Sequence, residues 1–257
     1  MGQYEDISVS LEDGVTRITV ERAARLNAYR DQTADELLDA FRQAEENPEA
    51  RVIVLKGAGR AFGAGYDLST IVPDATPELD RVLDRHFNPL IRRMRSCRLP
   101  IVSQVNGPCA GAAVGVALAG DIVVAARSAY FYEPFVGIAL VPDAGNTMFL
   151  TQLIGRARAA PMMMLGDRIS AETAESWGLI WRAFADSELP ARTDEIAATL
   201  ASRAPAALAA TKRLIASAAD RQLDAQLDLE RDLQGEAGRT PEMKRAIAAF
   251  FSARKGP

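Results

Sequence analysis

The feature that most limits what this chain can become is a stretch without a charged side chain, Leu99 to Gly120. It is long enough to cross a bilayer, which takes about 20 apolar residues. Pro100, Gln104, Asn106 and Pro108 interrupt it, however, and Gly107, Gly111, Gly115 and Gly120 punctuate its second half. The segment is therefore expected to be a buried strand (Ile101–Val105), a break at Gly107-Pro108 and a helix of small residues from about Ala110. A soluble protein without membrane association follows. Met1 to Asp6 is acidic where a secretory leader would be basic, so a cytoplasmic location is expected.

The rest of the chain supports an α/β fold. Ile7 to Val20 alternates as a hairpin about Asp13-Gly14. Thr33 with Glu36 has the spacing of a capping box, placing a helix that ends at Asn47-Pro48. Val52 to Leu55 is continuously apolar, as in a buried parallel strand. A glycine-rich loop (Gly57–Asp67), a helix (Pro77–Arg95) and strands at Asp121–Ala126, Tyr130–Tyr132 and Leu179–Phe184 follow. Pro190 to Lys255 reads as helix throughout. Strands separated by helices imply mainly parallel pairing.

Composition removes several functions. With 30 Lys+Arg against 34 Asp+Glu, the formal net charge is −4, without the basic surplus of a nucleic-acid binder. Cys97 and Cys109 are too few for a disulfide framework or a zinc cluster and are expected to be buried in a reducing compartment. His86 is the only histidine, and no G-x-S-x-G elbow accompanies it. No metal, nicotinamide or flavin motif is visible. Acid–base chemistry must rest on Asp, Glu, Lys, Tyr or backbone groups.

Three segments could carry it. Phe62-Gly63-Ala64-Gly65-Tyr66-Asp67-Leu68 follows a buried strand, where α/β proteins place ligands. Its glycines suit either a tight turn or a backbone that approaches a ligand. Asn106 to Ala113 also follows a strand and opens a helix, whose first N–H groups lack intrahelical partners. Two such loops facing each other would make an oxyanion hole; alone, the second reads as a closely packed helix. Asp143, after Val141-Pro142, is either the N-cap of the next helix, the commoner use of Asp, or a general base in an apolar pocket. Glu133 reads by default as a surface ion-pair partner.

Taken together and in this order, the segments resemble the crotonase (enoyl-CoA hydratase/isomerase) superfamily over essentially the whole chain. Arg25-Leu26-Asn27-Ala28 resembles its early CoA-binding turn. Phe87-Asn88-Pro89-Leu90, Trp177-Gly178-Leu179-Ile180-Trp181 and Gln226-Leu227-Asp228-Leu229-Glu230-Arg231-Asp232 look like its 1,2-epoxyphenylacetyl-CoA isomerase subgroup, from phenylacetate catabolism.

The resemblance implies a crotonase-like spiral of ββα units over residues 1–195 and a helical trimerisation region over 196–257. It implies a homotrimer or dimer of trimers, and an acyl-CoA thioester whose CoA is part of the substrate rather than a cofactor. The oxyanion donors would be the N–H groups of Tyr66 and Ala112. Asp143 would be the acid/base. Arg25, Leu26, Ala28, Ala64, Gly65, Asp67, Leu68, Gly111 and Phe135 would contact substrate, and Phe250 and Lys255 a neighbour's CoA. Hydratases of the family use two glutamates, and those positions align with Gly115 and Phe135.

An isomerase is therefore expected, shifting a double bond or rearranging an aryl epoxide. A hydratase or hydrolase using Asp143 and Glu133, and a non-catalytic CoA-ester binder, are the alternatives. Tyr66, Ala139, Asn146 (where a glycine is expected after Gly145) and Tyr132-Glu133-Pro134 depart from the family pattern.

Overall fold

The computed structural model describes residues 4–70 and 77–253. Five parallel strands and one antiparallel edge form the main sheet. Strands β1 (Ile7–Glu12) and β2 (Val15–Val20) are the hairpin, turned at Asp13 and Gly14, both in the left-handed region (φ 50° and 79°). Helix α1 (Asp31–Glu46) crosses to β3 (Val52–Gly57). Helix α2 (Leu79–Val82), a wide turn (Leu83–Phe87) and α3 (Asn88–Ser96) cross to β4 (Ile101–Val105). Next come β5 (Cys109–Ala110), α4 (Ala112–Leu118), β6 (Ile122–Ala126) and β7 (Tyr130–Tyr132). Helices α5 (Asn146–Ile154) and α6 (Arg156–Leu165), strand β8 (Ile169–Ser170), α7 (Ala171–Trp177), β9 (Arg182–Phe184) and α8 (Leu189–Ala201) complete this part.

The main sheet runs β1-β2-β3-β4-β6-β9, and β5-β7-β8 form a second, smaller sheet. Among the described residues only β1–β2 and β7–β8 are antiparallel. Central β3 buries Val52, Ile53, Val54 and Leu55, all at most 2% exposed, which is why it reads as a continuous apolar run. Helix α1 turns Leu37, Ala40 and Phe41 inward, and α8 lies against β3, β4 and β6. Cys97 and Cys109 are buried and form no disulfide.

The helix entered at Thr33 starts earlier than its sequence suggested. Thr33 is the third residue of α1; its hydroxyl accepts the Arg30 N–H (3.1 Å) and donates to Asp6 Oδ2 (2.5 Å). Glu36 does not bond back to the cap but receives the N–H groups of Glu5 (2.9 Å) and Asp6 (2.8 Å). The box thus fastens the N-terminal strand to the helix. The small-residue helix also starts later than Ala110, because Cys109 and Ala110 pair with Phe131 and Tyr132.

The chain divides into two compact units, Met1–Ala201 and Ser202–Pro257. This boundary falls later than residue 195 because α8 buries Leu189, Thr193 and Ala197 and ends at Ala201. The second unit holds α9 (Pro205–Ala218), α10 (Leu223–Gly238) and α11 (Pro241–Ala253), with α9 and α11 packed on α10. Among the described residues, no helix is long and apolar enough to cross a membrane.

Candidate active site

Neighbouring parallel strands bring the two glycine loops together. Strands β3 and β4 pair from Ile53↔Ile101 to Lys56↔Gln104, so their following segments leave the sheet side by side. Those segments stay joined: Phe62 and Gly63 N–H donate to the Pro108 carbonyl (3.0 and 3.2 Å), and Ala110 N–H donates to Gly63 (2.9 Å). Asn106 adds a side-chain bond to the Gly59 carbonyl (2.9 Å).

Close approach requires glycine at two points. Gly65 (φ 88°) and Gly111 (φ 55°) both adopt backbone that side chains resist. A β-carbon on Gly65 would lie 3.1 Å from the Ala110 oxygen and 3.6 Å from the Ala112 nitrogen. One donor beside each position is already committed. Tyr29 N–H donates to Gly65 C=O, and Asp67 N–H to Tyr29 C=O, leaving the Tyr66 N–H outside that pairing. Gly111 N–H donates to Tyr132 C=O at 2.9 Å, while Ala112, first in α4, has no carbonyl one turn behind it within the helix. Two neighbouring N–H groups can thus serve one carbonyl oxygen. With only seven residues in α4, the local N–H matters more than any long helix dipole.

Both groups border an open cavity of about 650 Å³, counting the solvent at its mouth. Ala64, Gly65, Tyr66, Leu68, Gly111 and Ala112 line it from the two loops, and Phe135 and Asp143 from beyond the second sheet. The wide turn and α2 form its facing wall. Asn88 N–H reaches back five residues to the Leu83 carbonyl, a π-type turn that puts Leu83 and Phe87 into the cavity. The Tyr66 ring meets Phe87 edge-on at 5.8 Å, but its hydroxyl donates to Asp31 Oδ1 (3.0 Å). Burial, with Asp31 beside it, raises the phenol pKa, so Tyr66 offers the cavity a neutral ring and a backbone N–H.

Asp143 is the acidic group of the cavity lining. It does not cap α5: the N-cap is Gly145, and the Asp143 Oδ1 is buried without a partner among the described residues. Burial pushes its pKa up to about 6. The turn that carries it is tight. Ala144 (φ 50°) and Gly145 (φ 83°) are both left-handed, and the Ala144 carbonyl packs onto Gly115 of α4. A β-carbon on Gly115 would sit 2.9 Å from the Ala144 carbonyl carbon and overlap its oxygen.

Glu133 corrects the surface expectation outright. It is fully buried, and neither carboxylate oxygen has a partner among the described residues. Burial first, and Asp143 second, push its pKa up to about 9, so it is neutral at pH 7. The readable signal was the alternation from β7: Phe131 faces inward, so Glu133 does too. Asn146, fully buried at the start of α5, was likewise visible only as a departure from glycine. Ala139 shows why glycine suits its position, since it closes the short helical turn Phe135–Ile138 at φ 59°.

Of the other expected contacts in the first unit, Arg25, Leu26, Ala28 and Asp67 are not among the residues that line this cavity. Asp67 turns into its own loop, accepting from Ser69 Oγ (2.6 Å) and Arg22 (2.8 Å), which hold its carboxylate below the usual range. Arg25 is exposed at the end of a short turn (Ala23–Arg25), followed by Leu26 and Asn27, both left-handed. Buried Asn27 fastens that turn to the loop after β3 by donating to Ala58 (2.8 Å) and Ala61 (2.7 Å). Ala28 is buried, its carbonyl accepting from Arg22. Phe250 belongs to the second unit, half-exposed and edge-on to Phe251. Lys255 lies outside the described residues, as does Arg254 at the expected end of α11.

Comparison with known proteins places this geometry. Residues 10–257 match the family described as enoyl-CoA hydratase/isomerase. A 1,2-epoxyphenylacetyl-CoA isomerase from Escherichia coli (strain K12) is 40% identical over 253 residues, covering 97% of each chain. A short-chain-enoyl-CoA hydratase from Clostridium acetobutylicum is 30% identical over 258 aligned residues, 98% of this chain and 97% of that one. The crystal structure of an enoyl-CoA hydratase from Polaromonas sp. JS666 has a TM-score of 0.90 at 30% identity, covering 98% of each chain.

Proposed function

The chain belongs to the enoyl-CoA hydratase/isomerase (crotonase) family of enzymes, with its acyl-CoA hydratase or isomerase activity, and on that premise we propose that it is an acyl-CoA isomerase with Asp143 as its acid/base. The observation that carries this reading is the buried Asp143 carboxylate, its Oδ1 without a partner among the described residues, at an apolar cavity beside two N–H groups for which those residues offer no backbone acceptor. Glycine and phenylalanine at 115 and 135 leave no carboxylate at either position where the family's hydratases carry theirs.

In this reading the thioester oxygen accepts the Tyr66 and Ala112 N–H groups. Ionised Asp143 takes a proton from the α-carbon of a 3-enoyl thioester. The C–H electron pair moves into a dienolate whose negative charge rests on that oxygen. Protonated Asp143 then returns the proton at the γ-carbon, giving the 2-enoyl thioester with no atom gained or lost. A pKa near 6 suits a base that must be ionised at pH 7 and still become an acid within the cycle. The apolar wall of Leu83, Phe87 and Phe135 accommodates an alkyl or aryl acyl group and keeps water from the enolate. The similarity to the Escherichia coli isomerase makes an aryl epoxide thioester the second substrate class to try.

One observation favours a hydratase as the second reading: Glu133 is a neutral acid close enough to Asp143 to feel its charge. The test is incubation with 3-enoyl- and 2-enoyl-CoA esters in D₂O, followed by mass spectrometry. Deuterium on carbon without added water is expected. Addition of water across the double bond would replace the isomerase by the hydratase. Failure on both esters and on the aryl epoxide would remove both.

A further inference from the structure

We infer that Asn146 is a positioning residue that sets the angle of one oxyanion donor against the turn carrying the base. The inference rests on the assignment of the two N–H groups proposed above. Asn146 is fully buried. Its Nδ2–H donates to the Gly111 carbonyl at 3.1 Å, and its own backbone N–H donates to the Asp143 carbonyl at 2.9 Å. A carbonyl oxygen can only accept, so the amide nitrogen must be the end that faces Gly111.

The Gly111 carbonyl and the Ala112 N–H belong to one planar peptide. That carbonyl also accepts the Val114 N–H at 2.9 Å. Two donors on the oxygen fix the plane and therefore the direction in which the Ala112 N–H points. They also polarise the peptide, which makes the N–H a stronger donor. Val114 supplies its bond as part of the first turn of α4. Asn146 supplies the second from another element, and by its main chain it grips the Asp143 turn as well.

The residue's cost argues for a purpose. Its Oδ1 is buried without a partner among the described residues. The glycine expected at this position would carry no such burden. An amide there links two groups that must agree in geometry for proton transfer, the base and the oxyanion donor.

The test measures the donor directly. A saturated acyl-CoA labelled with ¹³C at the thioester carbonyl is bound to the wild-type protein and to Asn146→Ala, Asn146→Gly and Asp143→Asn, and its carbonyl stretch is read by infrared spectroscopy. Wild-type binding lowers the frequency. We expect Asn146→Ala and Asn146→Gly to lose half or more of that lowering and on the order of tenfold to a hundredfold in kcat, with KM little changed. Asp143→Asn is expected to lose turnover and keep the lowered stretch. Asn146→Gly keeps the test open should the alanine variant not fold. A full wild-type shift in a folded Asn146 variant overturns the inference alone. No shift in the wild-type protein overturns the oxyanion assignment beneath it.

Discussion

Two buried carboxylate regions of this molecule have opposite fates. Asp6, just before β1, is 2% exposed, and Glu133 is fully buried. Burial alone would raise both pKa values. At Asp6 it is outweighed: Arg30 donates twice (2.7 and 2.8 Å), Thr33 once (2.5 Å), and Arg22 stands at 3.4 Å. Its pKa falls below the ordinary carboxylate range. Glu133 and Asp143 receive no comparable donors, and their pKa values rise to about 9 and about 6. Donors, not depth, decide whether a buried carboxyl is an anion that holds the fold or an acid kept ready for chemistry. Buried polar groups without partners are rare in native proteins, and a cluster bordering a cavity marks a site.

The sharpest way to break the comparison is Asp143→Asn. If the unpaired region exists for proton transfer, turnover of a 3-enoyl-CoA should fall about 10²–10⁴-fold while thioester binding persists. An active variant would reduce Asp143 to a bystander. Asp6→Ala is the counterpart. Removing one member of a buried, paired group costs about 3–5 kcal/mol, and the partial exposure of Arg30 puts the expected loss near the lower end. A urea melt reads it, and an unchanged midpoint would show that the paired region holds nothing together.

The pH dependence separates the regions by sign. Between about pH 4.5 and 9 an unfolded Glu133 has released its proton while the folded one keeps it. The unfolded state then binds fewer protons, so this group's stabilising contribution, full at acid pH, is lost as pH rises through that window. Asp6, its pKa depressed, contributes above its unfolded pKa and fails only as pH falls through the folded value. Glu133→Gln should change the melting temperature little at pH 5 and raise it at pH 8. A variant equally destabilised at both pH values would mean that the buried acid is held by something else. The smallest effect is expected for Thr33→Val, about 1 kcal/mol at pH 7 and less at pH 3, where Asp6 is closer to protonation. A loss independent of pH would assign the threonine to helix α1 rather than to Asp6.

The paired region was half legible in the sequence. Thr33 and Glu36 announced a helix start, but their partners, Glu5 and Asp6, lie just before the N-terminal strand, and no spacing rule for one helix reveals a contact with another segment. The strands that position the site were easily read, because Val52 to Leu55 and Ile101 to Val105 are too apolar to lie anywhere else. The loops were read by their glycines, and Gly65 and Gly111 repay that reading with positive φ angles and touching backbones. What escaped was every decision made by tertiary neighbours. Glu133 follows two tyrosines and precedes a proline, so its residue type argued for solvent although its strand alternation argued against it. Two residues of β8 are too short for any pattern. The π-type turn differs from a continued helix in reaching back five residues, as Asn88 does to Leu83, and composition cannot signal that.

Gly115 has one more implication. Its α-carbon lies so close to the Ala144 carbonyl that a side chain of any size is shut out while the Asp143 turn keeps its shape. A glutamate restored there by a single codon change would evict the aspartate it was meant to assist. A carboxylate at position 115 is therefore not one mutation away from this protein, in the laboratory or in descent. The loop from Leu140 to Asn146 would have to be rebuilt first.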